Sequence, residues 1–140
     1  MVDNDVVFRK VGNIQRCLKR IRDVTGLNPA SFDNLDVQDV FVLNLQRAIQ
    51  SALDLAAHIV ASEGLGLPSN LKENFSLLKN SGIIPGDLST SMERMVGFRN
   101  IAIHEYEEID VEVLKSILQH HVSDIEAFYT AIVQHFKLAK

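Results

Sequence analysis

The stretch VQDVFVLNLQRAIQSALDLAAHIVASE, residues 37–63, decides the fold class. Val40, Phe41, Leu43, Leu45, Ala48, Ile49, Ala52, Leu53, Leu55, Ala56, Ile59 and Val60 recur at helical steps and spread over more than one face. An apolar surface that wide predicts a long helix, either central to a bundle or buried in a subunit interface. Asp36 is the expected N-cap, with Asp39 in the electropositive first turn. Gly64-Leu65-Gly66-Leu67-Pro68 ends the element.

Working outward, residues 5–25 read as a helix with the stripe Val7, Val11, Ile14, Leu18 and Ile21, bordered by Cys17 and stopped at Gly26. Leu27 to Ser31 reads as a loop, because Pro29 disfavours helix at Asn28. Residues 70–80 read as a shorter helix capped by Ser69, with the stripe Leu71, Phe75 and Leu78. Ser81-Gly82-Ile83-Ile84-Pro85-Gly86 is a break. Asp87 then opens a helix carrying Leu88, Met92, Met95, Val96 and Arg99. Asp110 is expected to cap one last long helix, running to about Lys137 through Leu114, Ile117, Leu118, His121, Ile125, Phe128, Ile132 and Phe136. No segment alternates like a strand. The pattern predicts an all-α fold: an antiparallel up-and-down bundle of four main helices plus a shorter one, in a single domain over residues 1–140.

Composition bounds the function. The chain has 140 residues, 46% of them hydrophobic, and a mean hydropathy of +0.06, enough for a real core. No apolar run approaches the ~20 residues of a membrane span. The acidic start Met1-Val2-Asp3-Asn4-Asp5 lacks a signal-peptide pattern, and the single cysteine, Cys17, excludes an internal disulfide. A cytoplasmic location is expected. The net charge of −4 argues against a general nucleic-acid coat protein, yet the charge is unevenly spread. Arg9, Lys10, Arg16, Lys19, Arg20 and Arg22 fall together with no acid between them. Residues 100–140 hold seven acids against three lysines. The two runs are either separate partner surfaces or simply solvated faces. As a partner surface, the basic run assigns Arg16, Lys19, Arg20 and Arg22 to RNA.

The chemistry concentrates in Phe98-Arg99-Asn100-Ile101-Ala102-Ile103-His104-Glu105-Tyr106. Arginine is a fixed cation whose planar fork grips phosphate, and histidine exchanges protons near neutrality. Together in reach of one phosphodiester, they suffice to cut RNA without a metal. On an unbroken helix five residues turn about 500°, leaving Arg99 and His104 about 140° apart. Either the helix loosens near His104, or the Arg99 side chain reaches round, or a second subunit completes the site. The turn-prone run Glu107-Glu108-Ile109-Asp110 places Arg99 in the last turns of a helix and His104 and Tyr106 at its frayed end. A capping cluster at the helix C-terminus accounts for the same residues through the dipole alone.

Other constellations are weak. Asp54 and His58 share a helix face, but two ligands do not make a metal site, and nothing at helical spacing completes one around His120 and His121. No metal and no cofactor is expected. Gly64 and Gly66 lack the Lys-Ser/Thr of a phosphate loop.

Residues Arg99 to Tyr106 resemble the signature of the HEPN superfamily: arginine, a polar residue, a few residues, then histidine. The His-x-Tyr ending resembles its HepT-like branch. Phe41 to Gln50 and Leu53 to Ile59 are similar to the family's second helix, and Gly82-Ile83-Ile84-Pro85 to its loop before the motif helix. The resemblance implies a dimeric all-α ribonuclease toxin of a type VII-like toxin–antitoxin pair, whose partner is a minimal nucleotidyltransferase antitoxin, with higher hetero-oligomers open to it. It implies catalytic roles for Arg99 and His104, support from Asn100 and Tyr106, and Tyr106 as the acceptor of AMP from the antitoxin. The alternative within the family is a catalytically silent HEPN module that binds a nucleotide or serves as an accessory subunit.

Overall fold

Asp3 starts the first helix: its Oδ1 accepts from the backbone N–H groups of Asp5 at 2.9 Å and Val6 at 3.3 Å. The computed structural model describes residues 2–138; Met1, Ala139 and Lys140, which the expected domain bounds of 1–140 include, lie outside the described residues. Helix α1 (Asn4–Thr25) buries the expected stripe of Val7, Val11, Ile14, Leu18 and Ile21. It ends at Gly26, whose φ of 58° a side chain would strain, and whose N–H returns to Arg22 at 2.8 Å.

The expected loop after it contains a 3-10 turn, Pro29–Asp33, opened by the Asn28 side chain on the Ala30 N–H at 3.0 Å. The turn exists to deliver one aromatic. Phe32 is buried and meets Phe41 edge to face, with ring centroids 4.9 Å apart.

Helix α2 (Leu35–Ser62) is the centre of the bundle and touches α1, α3, α4 and α6. Its cap is Asn34, which accepts from the Asp36 N–H at 2.8 Å, and not Asp36, which stands in the first turn. The two residues cap equally well, and the earlier one wins. Phe41, Leu45, Ala48, Ile49, Ala52, Leu55, Ala56 and Ile59 are fully buried inside the chain's own core. The wide apolar surface is therefore spent within one chain and does not itself argue for a subunit interface.

Helix α3 (Glu73–Asn80) begins three residues later than expected. Asn70 Oδ1 takes the Glu73 N–H at 3.0 Å, while Ser69 Oγ donates to the Glu73 carboxylate at 2.6 Å instead of capping the backbone. Phe75 of α3 stacks edge to face on Phe128 at 5.4 Å. Ile83 and Ile84 are buried in the following break and anchor the start of α4 (Gly86–His104).

The C-terminal part differs most from expectation. One long helix was expected from Asp110; there are two, α5 (Val111–His120) and α6 (Val122–His135). Asp110 does cap α5, accepting from the Glu112 N–H at 2.9 Å. The break is at His121, whose φ of −124° and ψ of −16° leave the helical range. Its Nδ1 lies 3.0 Å from Asp124 Oδ2, and Val122 takes the buried position expected of His121. Among the described residues the result is an all-α bundle of six α-helices, in place of four plus one, around one core. Burying each of its large apolar side chains contributes about 1.5–3 kcal/mol.

Candidate active site

Helix α4 does not fray before His104. It is continuous to that residue, and the Glu105 N–H still closes on the Ile101 carbonyl at 2.7 Å. The expectation of a loosened end at His104 is thus corrected: Arg99 and His104 sit on one regular helix, about 140° apart round its axis. Tyr106 lies beyond it, in a 3-10 turn, Tyr106–Glu108.

Arg99 faces α2. Its Nη1 donates to Gln50 Oε1, and its Nη2 donates to Asn100 Oδ1 at 2.7 Å. Gln50 Nε2 donates in turn to Asp54 Oδ1 at 2.9 Å, and Asp54 Oδ2 pairs with Lys10 Nζ at 3.0 Å. A chain of polar contacts thus runs from α4 across α2 to α1 and fixes the plane of the guanidinium. None of these Arg99 bonds goes to the C-terminal carbonyls of α4, which is where a capping arginine would bond. Arg99 Nε is buried and has no acceptor within the described residues.

His104 is exposed at the last residue of α4. An open hollow of about 690 Å³ lies over Ile103, His104, Tyr106 and the acids Glu105, Glu107 and Glu108. Tyr106 is 43% exposed, yet its hydroxyl donates to Asp39 Oδ1 near the start of α2. Partial burial first, then the hydrogen bond and charge of Asp39, push the phenol up to about 12.

These contacts set the direction of α4. Along α2, Asp39 meets Tyr106 and Gln50 meets Arg99, so α4 and its following turn run antiparallel to α2. Asp39 and Gln50 are about 16 Å apart along the helix, and Asp39, Leu43, Arg47 and Gln50 project within about 80° of each other. One outer strip of α2 therefore backs the whole motif. Asp39, Arg47 and Gln50 went unassigned in the sequence reading; the signal available for them was their shared face at spacings of eight and three.

The basic run of α1 divides. Arg16 lines a groove between α1 and α2 that Gln50 also lines. Lys19 pairs with Asp23 at 2.8 Å, holding that carboxyl below its ordinary range. Arg22 stands 4.0 Å from Glu126, and Arg20 is exposed. Asp54 and His58 do not converge: Asp54 serves Lys10 and Gln50, while His58 Nε2 accepts the Asp3 N–H at 3.1 Å. Among the described residues no three His, Cys, Asp or Glu side chains gather as a metal site, and no helix is long and apolar enough to cross a membrane.

The family model for HepT-like ribonucleases matches residues 14–132. The chain is 37% identical over 129 residues to an mRNA nuclease HepT of Shewanella oneidensis, covering 92% of this chain and 97% of that protein. The fold is similar to that of a tri-AMPylated Shewanella oneidensis HEPN toxin solved in complex with its MNT antitoxin. The TM-score is 0.88 at 37% identity, over 94% of this chain and 99% of the other. A toxin–antitoxin structure with AMP-PNP gives a TM-score of 0.87 at 36% identity, over 93% and 98% of the two chains.

Proposed function

The chain belongs to the HepT-like ribonuclease family, and from that premise we propose that it is a metal-independent endoribonuclease toxin of a HEPN/MNT toxin–antitoxin system. The observation that carries the reading is Arg99, fixed by Gln50 and Asn100 on the helix that ends at His104.

The chemistry follows from these groups. RNA supplies its own nucleophile, the 2′-hydroxyl. His104 takes its proton or protonates the departing 5′-oxygen. Arg99, already oriented, stabilises the negative charge that builds on the phosphorus oxygens, at no cost in reorganisation. Asn100 holds one arm of the fork. The product is a 2′,3′-cyclic phosphate. Because Arg99 and His104 diverge on one helix, the site is completed by a second copy. A homodimer brings Arg99 of one protomer and His104 of the other to one cleft.

The partner is a minimal nucleotidyltransferase antitoxin, and hetero-oligomers with it form around the toxin dimer. Tyr106 is the residue it modifies: the phenol lies two residues beyond His104 and is exposed. AMP attached there adds bulk and negative charge to the same hollow and excludes RNA. The unit that carries this is one helical domain over residues 1–140, acting in the cytoplasm. Incubating the protein with total RNA, beside His104→Ala, tests the reading. Cleavage by the first and not the second supports it, and equal cleavage by both removes it.

A further inference from the structure

The groove between α1 and α2 has a volume of about 420 Å³ and is lined by Asn13, Arg16, Cys17, Arg47 and Gln50, among others. No carboxylate lines it. Arg16 bonds only the neutral Asn13 side chain, and no ion pair holds Arg47 among the described residues. In a chain of net charge −4, two guanidinium groups without a carboxylate, facing one hollow, form a local field that attracts anions. Burial raises the Cys17 thiol, against the pull of Arg47 and Arg16, so it stays neutral at working pH and adds no negative charge.

The groove is also joined to the catalytic arginine. Gln50 lines it and at the same time accepts from Arg99 Nη1. Arg47 precedes Gln50 by three residues, about 4.5 Å of helix rise. A polynucleotide held at Arg99 by one phosphate continues along its strand, and its next phosphates need cations within a short reach. Arg16 and Arg47 are the cations of this groove. Their forks suit phosphate oxygens, and the Nδ2 of Asn13, whose Oδ1 accepts from Arg16, suits a 2′-hydroxyl or a base edge between them.

We propose that this groove is a phosphate subsite for RNA flanking the scissile bond, with Arg16 and Arg47 as its ligands and Gln50 linking it to Arg99. The proposal rests on the ribonuclease reading for the identity of its ligand. It narrows the basic run of α1 to Arg16 and adds a residue from α2. Lys19 and Arg22, already facing Asp23 and Glu126, are not part of it.

The test uses the full chain and a fully 2′-O-methylated single-stranded RNA of about ten nucleotides, which cannot be cleaved, with binding read by fluorescence anisotropy across a salt series. Arg16→Gln and Arg47→Gln should each weaken binding about tenfold and reduce the slope of log affinity against log salt by about 0.7. Arg47→Lys should keep the slope. Lys115→Gln, on α5 and paired with Glu112, should change neither. The loss at Arg47→Gln should be larger for the long RNA than for a dinucleotide. An unchanged slope in both glutamine variants overturns the subsite, as does an equal loss for the long RNA and the dinucleotide. If the two glutamine variants lose slope as expected but the wild-type chain does not cut the unmethylated RNA of the same sequence, the nuclease reading fails while the subsite stands. If it binds no RNA, both fall.

Discussion

The Tyr106 hydroxyl donates a hydrogen bond to the Asp39 carboxylate, tying the turn after α4 to the start of α2 across 67 positions of sequence. A tyrosinate at that place would face a carboxylate, so the proton is retained. The phenol, pushed up to about 12, should ionise well above the ordinary tyrosine range in a titration followed at 295 nm. The contact contributes stability in full below pH 10, where the phenol is protonated in folded and unfolded chains alike. That contribution is lost as pH rises through about 12. Asp39→Asn should lower the Tyr106 transition by the part that Asp39 supplies and leave the part due to burial, and an unmoved transition would show that the contact is not made in solution.

The same contact bears on the AMP transfer proposed at Tyr106. In AMP transfer the phenol oxygen bonds to the α-phosphorus of ATP, pyrophosphate leaves, and the phenol proton must go to a base. A phenol held protonated cannot ionise beforehand, so the base must act during attack, and Asp39 already accepts the hydrogen bond from that proton. Asp39→Asn should slow AMP addition about 100-fold, the scale of a lost general base, in a time course of intact mass with the antitoxin, ATP and magnesium. Tyr106→Phe should accept no AMP. Equal rates in the wild type and Asp39→Asn would place the base in the antitoxin instead.

Gln50 and Arg99 should differ in depth. Arg99→Ala removes the group that meets the developing charge and should lower kcat about 100- to 1000-fold. Gln50→Ala leaves the guanidinium in place but unanchored, and should cost about tenfold with the same pH profile. Single-turnover cleavage measures both. A Gln50→Ala loss as deep as that of Arg99→Ala would mean that Gln50 itself touches the substrate.

Much of the fold was legible because helical stripes are local. The α1 stripe from Val7 to Ile21 and its Gly26 stop stand as expected. The break at His121 was not legible, since Leu118, Val122 and Ile125 continue the apolar stripe straight through it. The turn at Pro29–Asp33 rests on one buried ring, Phe32, which carries no periodicity. For the candidate site, Arg99 and His104 were nominated by type and spacing. Their supports do not, because Gln50 lies 49 positions from Arg99 and only the pairing of α2 with α4 brings them together. The long apolar face of α2 left two readings open, the centre of a bundle or a subunit interface, and the structure takes the first.

The proposed dimer therefore rests on the divergence of Arg99 and His104 round α4, and subunit mixing tests it. Arg99→Ala and His104→Ala should each be inactive alone. A composite site is restored in their heterodimer, so that random mixing returns about a quarter of wild-type activity. No recovery after exchange, verified by native mass, would put both residues to work within one protomer.

The central claim is that Arg99 and His104 cut RNA with the substrate's own 2′-hydroxyl and no metal. The most direct measurement is cleavage of a defined single-stranded RNA in EDTA, with the product ends identified by mass. Cleavage should be undiminished and leave a 2′,3′-cyclic phosphate on the upstream product, and both should be lost in His104→Ala. Cleavage abolished by EDTA and restored by a divalent ion would contradict the claim.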